Sequence, residues 1–456
     1  MSAQRSTLTE GTIWKKLILF ALPVLLGNVF QQLYNTIDSL IVGQFLGDQA
    51  LAAVSSSGNL IFMFVGFFNG TAMGAGVIIA KYFGAKDHDA MEKAVHTDVA
   101  FGLCTGVLIT VLGVSFTPTI LDWMGTPKDV LPNSVSYFRF YFCGAVFTVM
   151  YNIFVGILHA MGDSKYPLYF LIFSSIVNVA LDLMFVGYFH MGVGSAALAT
   201  TISQGISAGL CCRRLMKLEA PGRLQLKKIG FHMPSLKLIL RFGLPSGIQN
   251  SVIGLANVVV QSNINAFGSA AMAGCGSYSK IEGFAFLPVT CFAQGLSTFV
   301  GQNLGARKYD RVKKGAVFGI LCSVTLAECI GVLFYLFTPN LIGMFNGSTE
   351  AVSFGVRHCR TVCLFYCLLA FSHCAAGIMR GAGKATVPMV TMLAFWCVLR
   401  VTYITIAVQR IPQLTTVSWA YPLTWSCSSI VFAVYLLKAD WIHNFDRLEA
   451  KAHAAP

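Results

Sequence analysis

Twelve apolar runs mark the chain, near residues 14–46, 50–81, 94–118, 131–159, 167–189, 193–214, 237–267, 269–301, 314–338, 350–378, 387–409 and 416–438. Each is roughly 20 residues or longer, the length at which a helix crosses the hydrocarbon of a bilayer. Apolar residues follow one another in these runs without the strict alternation of a barrel strand, so the pattern predicts helices and not a transmembrane β-barrel. The first run is too long for a secretion signal and no small-residue cleavage site follows it, so it is expected to stay as a helix. The expected fold is an all-α membrane protein with twelve transmembrane helices.

Composition agrees with the pattern. Of 456 residues, 55% are hydrophobic and 11% charged, and the mean hydropathy is +0.68. A soluble domain carries about 25% charged residues, so an ordinary water-facing surface cannot be built from this chain. The net charge of +13 could suggest nucleic acid, but the positions of the basic residues exclude that reading. With the N-terminus inside, most Lys and Arg fall in inner loops, helix ends and tails, including Arg213, Arg214, Lys217, Arg223, Lys227, Lys228, Arg307, Lys308, Arg311, Lys313 and Lys314. The outer loops hold almost none, chiefly Lys128 and Arg410. This is the positive-inside pattern, which places both termini in the cytoplasm of a cell-membrane protein, with anionic lipid as a further contact. The 14 Cys lie almost wholly within runs. Cys359, Cys363, Cys367 and Cys374 share one helix and read as small packing residues, because a metal would need convergent ligands.

The chain repeats itself. Ala80–Lys86 matches Gly301–Arg307, and Gly156–Gly162 with Pro167 matches Gly377–Gly383 with Pro388, both at an offset of 221 residues. Phe20–Pro23 matches Phe242–Pro245 at 222. Each copy holds six runs, an even number, so both enter the membrane in the same sense and form parallel repeats, as in some transporters. The expected organisation is an N-terminal lobe over 1–216, a basic cytoplasmic linker over 217–236 and a C-terminal lobe over 237–456. Two such bundles suit alternating access. Pro23, Pro245 and Pro288 lie inside runs one, seven and eight; each removes a helix hydrogen bond and is a candidate hinge.

Charge inside an apolar run is costly and marks function by default. Asp38 lies about nine residues below the outer loop, roughly 14 Å down, and Asp182 roughly 10 Å below the outer end of its run. Asn178 is four residues before Asp182 and shares its helix face. Tyr137, Thr200 and Thr201 estimate to comparable depth. Two carboxylates, an amide, hydroxyls and a phenol could hold a proton or a sodium ion. At an offset of 221, Asp38, Asp182 and Asn178 correspond to Val259, Tyr403 and Leu399, so the acidic set belongs to one lobe. The second lobe carries Lys280, Glu282, Glu328 and Arg400 near mid-membrane. They are expected to form a charge-compensated network, with Lys280 close enough to neutralise Glu282, or to meet a cationic substrate at Glu282. Gly383-Lys384 fails as a phosphate loop, since Ile378 and Ala385 occupy its other key positions. No catalytic motif occurs, so transport driven by an ion gradient is expected, with no cofactor and no enzymatic activity.

The run Pro23 … Asn35-x-x-Asp38-x-x-Ile41-x-Gly43-x-x-Leu46-Gly47 resembles the multidrug and toxic compound extrusion (MATE) family. So do Gly84-Ala85-Lys86, Gly156 to Pro167, and Gln294-Gly295 with Gly301–Arg307. Lys280-Ile281-Glu282 with Pro288 is similar to its DinF-like bacterial branch. The resemblance implies export of cationic or amphipathic compounds against a proton or sodium gradient by rocking of two six-helix lobes. It further implies that Asp38, Asn178, Asp182, Tyr137 and a threonine of the sixth run, Thr200 or Thr201, form the cation site. Asn35, Glu282, Lys280 and Arg400 are the candidate substrate contacts, and the expected partners are a small molecule and lipid, with the chain a monomer. A flippase for lipid-linked precursors, a polytopic membrane enzyme and an ion channel remain as rivals.

Overall fold

A membrane-spanning chain has no water to satisfy its backbone, so each apolar run must close its own hydrogen bonds, and helices do this. The computed structural model describes residues 7–123, 130–219, 222–345 and 348–454, and among these the chain is helical along every predicted run. Lys128 lies outside the described residues. The first three spans are single helices, Ile13–Leu46, Asp48–Ala85 and His88–Trp123. The fourth is broken into Leu131–Cys143 and Ala145–Ala160, with a 47° bend. The fifth and sixth cover Lys165–Tyr188 and Gly194–Met216. The second repeat supplies Met233–Asn265, Ser269–Gly305, Tyr309–Gly343, Thr349–Gly381, Thr386–Arg410 and Leu414–Lys438. A short helix, Asn444–Ala454, follows.

By length and apolarity alone, eight of these helices can cross a bilayer, or nine counting the bent pair, among the described residues. The sixth and seventh spans are less apolar because they bury Ser203, Ser207, Ser246 and Gln249 inside the protein. Large apolar side chains such as Leu19, Leu40, Val107, Ile176, Leu336 and Leu437 are exposed, as a lipid-facing surface requires.

The contacts divide the chain into two compact units. Among the described residues, one comprises Leu22–Gly247 with Thr7, and the other Leu8–Ala21 with 248–454. The first span therefore begins in the second unit and continues in the first, and the seventh span does the converse. In the first unit the opening turns of the seventh span lie backbone to backbone on the second span. A Cβ on Gly70 or Gly74 would run into the main chain at Ser246–Gly247 or at Phe242–Gly243. Small residues four apart on both helices permit that approach, the usual means of close helix packing in lipid. The second unit repeats the arrangement more loosely, with Gly295 facing Phe20 and Ala21. There the N-terminal segment is also pinned by polar bonds. The backbone N–H of Leu8 donates to Gln302 Oε1 at 3.0 Å, and Arg311 donates to the carbonyls of Leu8, Glu10 and Gly11.

Candidate functional site

One face of the first span fixes the position of Asp38. Tyr34, Asp38, Ile41 and Val42 are buried, while Leu33, Ile37 and Leu40 on the other face are exposed. This three-to-four-residue rhythm turns the carboxylate into the first unit, where Ile41 and Val42 pack with Tyr137, Val186, Ala196 and Ala197. Asp182 comes from the fifth span. It is fully buried and ends the α-helical part of that span, after which Leu183–Tyr188 winds as a π-helix. Such local over-widening of a helix recurs at functional positions because it re-aims neighbouring side chains.

The two carboxyl groups are immediate neighbours, within hydrogen-bonding range of each other. Yet Asp38 Oδ1 and both oxygens of Asp182 have no hydrogen-bond donor among the described residues. Two bare carboxylates cannot be held side by side out of water. The pair is electrically viable only with a proton or a small cation shared between its oxygens, and that is what the arrangement can do chemically: take up and release one positive charge.

The surroundings are neutral and polar. Asn178 Nδ2 points to Thr200 Oγ1 at 3.5 Å, and Gln204 Nε2 to the Tyr34 hydroxyl at 3.4 Å. Tyr137 is buried near both acids and stacks on Tyr141. Thr201 turns elsewhere. Its hydroxyl donates to the Phe140 carbonyl at 3.2 Å, and a Cβ on Gly144 would collide with it, so it serves the break in the fourth span. The structure therefore brings together Asp38, Asp182, Asn178, Tyr137 and Thr200, and leaves Thr201 out. It adds Tyr34 and Gln204, which sequence reasoning missed.

Asn35 lies on the exposed side of its helix, away from the acid pair. The second-unit set is compensated only in part: among the described residues no ion pair joins Lys280 or Arg400 to Glu282 or Glu328, but the Arg400 charge acts on Glu282 from beyond contact distance, and Lys280 does not. Lys280 is exposed over the Phe345 ring, because residues two apart on a helix point to different faces. Glu282 accepts instead from the Tyr278 hydroxyl at 2.8 Å, which itself bonds Tyr366. Glu328 accepts from the Cys367 backbone. Arg400 is buried, bonded to Asn257 and Thr424, with Trp396 and Tyr421 rings against its guanidinium. Neutral donors, acceptors and aromatic faces make the direct contacts that were expected of opposite charges.

Pro23, Pro245 and Pro288 all lie inside continuous helices. Pro23 stands at the point where the first span passes from one unit to the other, and Pro245 just before the crossing in the seventh. Pro288 has no such position.

Apolar helices in two tandem sets, with a buried acid pair inside the first unit, define a polytopic helical membrane protein. The profile of the MatE family matches it twice, over residues 23–184 and 245–405, in step with the duplication. The probable multidrug resistance protein YoeA of Bacillus subtilis (strain 168) is 30% identical over 398 residues, covering 85% of this chain and 86% of that protein. The probable multidrug resistance protein NorM of Thermotoga maritima is 26% identical over 396 residues, covering 84% and 83%. Among solved structures, the crystal structure of MATE in the bent conformation overlays with a TM-score of 0.88 at 22% identity, covering 100% of both chains. The outward-facing conformation of a multidrug resistance MATE family transporter gives 0.88 at 22%, covering 99% of each. The chain belongs to the MatE family and is a membrane transporter of that class, not an enzyme.

Proposed function

We propose that this transporter is an antiporter that exports cationic or amphipathic small molecules from the cell, driven by a proton or sodium gradient through Asp38 and Asp182. The observation that carries the reading is the acid pair: two adjoining buried carboxyl groups, three of whose four oxygens have no hydrogen-bond donor among the described residues. Cation or proton entry from outside neutralises the pair. Loss of that charge repacks the first span around Pro23 and lowers the affinity for the exported compound, which leaves outward. Coupling of this kind needs only that the two conformations differ in affinity for the ion. The multidrug names of the relatives support the substrate class, and aromatic side chains would hold flat cations by apolar and cation–π contact. The transporter acts in the cell membrane as a monomer and uses no cofactor beyond the coupling ion.

Efflux of a fluorescent cation from everted vesicles tests this, with wild type compared with Asp38→Asn. The expected result is a loss of gradient-driven transport in the mutant; unchanged efflux would sink the assignment. Repeating the assay without sodium separates the two ions.

A further inference from the structure

The basic linker between the repeats is tied down at the foot of the third span. Gly222 and Leu224 are buried, Gly222 against Met91 and Met161, and the Leu224 N–H donates to the Leu215 carbonyl at 3.1 Å. The Gln225 N–H donates to Nε2 of His96 at 3.0 Å, and Nδ1 of the same ring bonds the Glu92 carbonyl at 2.7 Å. Lys228 pairs with the Glu92 carboxylate at 2.5 Å, and the His232 N–H donates to Thr97 Oγ1 at 3.1 Å. These bonds hold the backbone of the linker and leave its large apolar side chains outside. Leu226, Phe231 and Met233 are all exposed.

The partners of the linker fix the level and the side on which those side chains stand. The third apolar run starts near residue 94, so His96 and Thr97 mark the edge of the hydrocarbon. Leu103 and Val107 follow His96 by seven and eleven residues and are exposed. Those steps bring them within about 20° of His96 around the helix. The linker therefore crosses the lipid-facing side of the third span. The duplication supplies a check. At an offset of 221, His96 corresponds to Val317, which is 58% exposed. In the second repeat the same position faces outward uncovered.

The segment also carries charge of one sign. No Asp or Glu occurs between Glu219 and Glu282, while Arg223, Lys227, Lys228, Lys237 and Arg241 do. Of the acids on the third span beside it, Glu92 is taken by Lys228 and Asp89 by Lys93. Arg223, Lys227, Lys237 and Arg241 are exposed, with no ion pair among the described residues. Met233, Lys237 and Arg241 step by four and share one side of the seventh span. Apolar side chains interleaved with cations at the edge of the hydrocarbon suit a segment lying in the headgroup layer. Its apolar groups enter among the acyl chains and its cations meet phosphates. An acidic soluble protein would satisfy the charges, but on the lipid-facing side at this level the bilayer occupies the space.

We propose that residues 222–241 form a membrane-surface dock that inserts Leu226, Phe231 and Met233 into the cytoplasmic leaflet and gathers anionic phospholipid headgroups with its four exposed cations. The dock stands independently of any coupling role of Asp38 and Asp182.

Phe231→Trp puts a fluorescent reporter in the dock of the full-length transporter. The variant is reconstituted in phosphatidylcholine vesicles holding a minor share of phosphatidylglycerol, with one lipid or the other brominated on its chains. The emission it adds over wild type is expected to fall about twofold with brominated phosphatidylglycerol, and less with brominated phosphatidylcholine despite its abundance. Leu103→Trp, which faces acyl chains on the third span, is expected to be quenched in proportion to abundance. Replacing Arg223, Lys227, Lys237 and Arg241 together by Gln should bring Phe231→Trp to that same proportion, with the melting temperature in detergent unchanged. No quenching by either lipid would overturn the dock and leave the patch to a protein partner. Quenching of Phe231→Trp by abundance alone, or a preference that survives loss of the four cations, would overturn the selection of anionic headgroups. Met233→Trp carries the same test if Phe231→Trp does not fold.

Discussion

Asp182 offers two buried acceptors beside Asp38 Oδ1, and the three have no donor among the described residues. Replacing it with Asn supplies an N–H to its neighbour and removes the need for a shared proton or cation, so Asp182→Asn is expected to melt at the same or a higher temperature than wild type. Its gradient-driven efflux should fall at least about tenfold, a loss of ~1.4 kcal/mol of coupling. Higher stability with lower activity is the mark of a site kept under electrostatic tension for its function. The neighbouring threonines divide cleanly: Thr200→Val is expected to weaken ion binding at unchanged stability. Thr201→Val should cost about 1 kcal/mol of stability, the worth of its bond to the Phe140 carbonyl, with ion affinity kept. Thermal melts beside ion-binding titrations separate the two outcomes. Asp38, Asp182 and Asn178 were legible in the sequence because a charge in an apolar run has few explanations. The choice between Thr200 and Thr201 was not, since adjacent residues differ by about 100° around a helix and nothing along the chain says which way the helix is turned. The expected pairing of Lys280 with Glu282 failed for the same reason.

At the scale of elements, the apolar runs predicted the helices, because in lipid the backbone has no alternative. The bend between Cys143 and Ala145 and the π-helical turns after Asp182 and before Arg400 were not predicted. They answer to packing between helices, which hydropathy does not encode. The glycine contacts were half visible: Gly70 and Gly74, Gly243 and Gly247 can be read off as pairs four apart, but not which helix each pair meets. Gly74→Leu is expected to cost about 1–3 kcal/mol or to abolish folded expression, since the side chain would enter the backbone at Gly243; detergent-solubilised yield and melting temperature measure it. Pro23→Ala restores a backbone bond where the first span changes units. The variant should fold and still bind substrate while its turnover falls by about an order of magnitude, and near-wild-type turnover would remove the hinge from the account.

For the whole molecule, the repeat was visible from three short matches, and the two family matches fall on its halves. What duplication left behind is an asymmetric machine. One copy keeps the acids, and the other has Val259 and Tyr403 at the corresponding positions. Membership of the family does not by itself say where the driving ion binds, and the acid pair is the place proposed for it in this chain. The direct measurement is substrate-triggered ion uptake by the purified transporter in proteoliposomes, for wild type, Asp38→Asn, Asp182→Asn and the double variant. The account predicts that either single substitution abolishes coupled uptake and that the double variant loses nothing more, as expected of residues acting as one site. Coupled uptake at the wild-type ratio of ion to substrate in either single variant would contradict it.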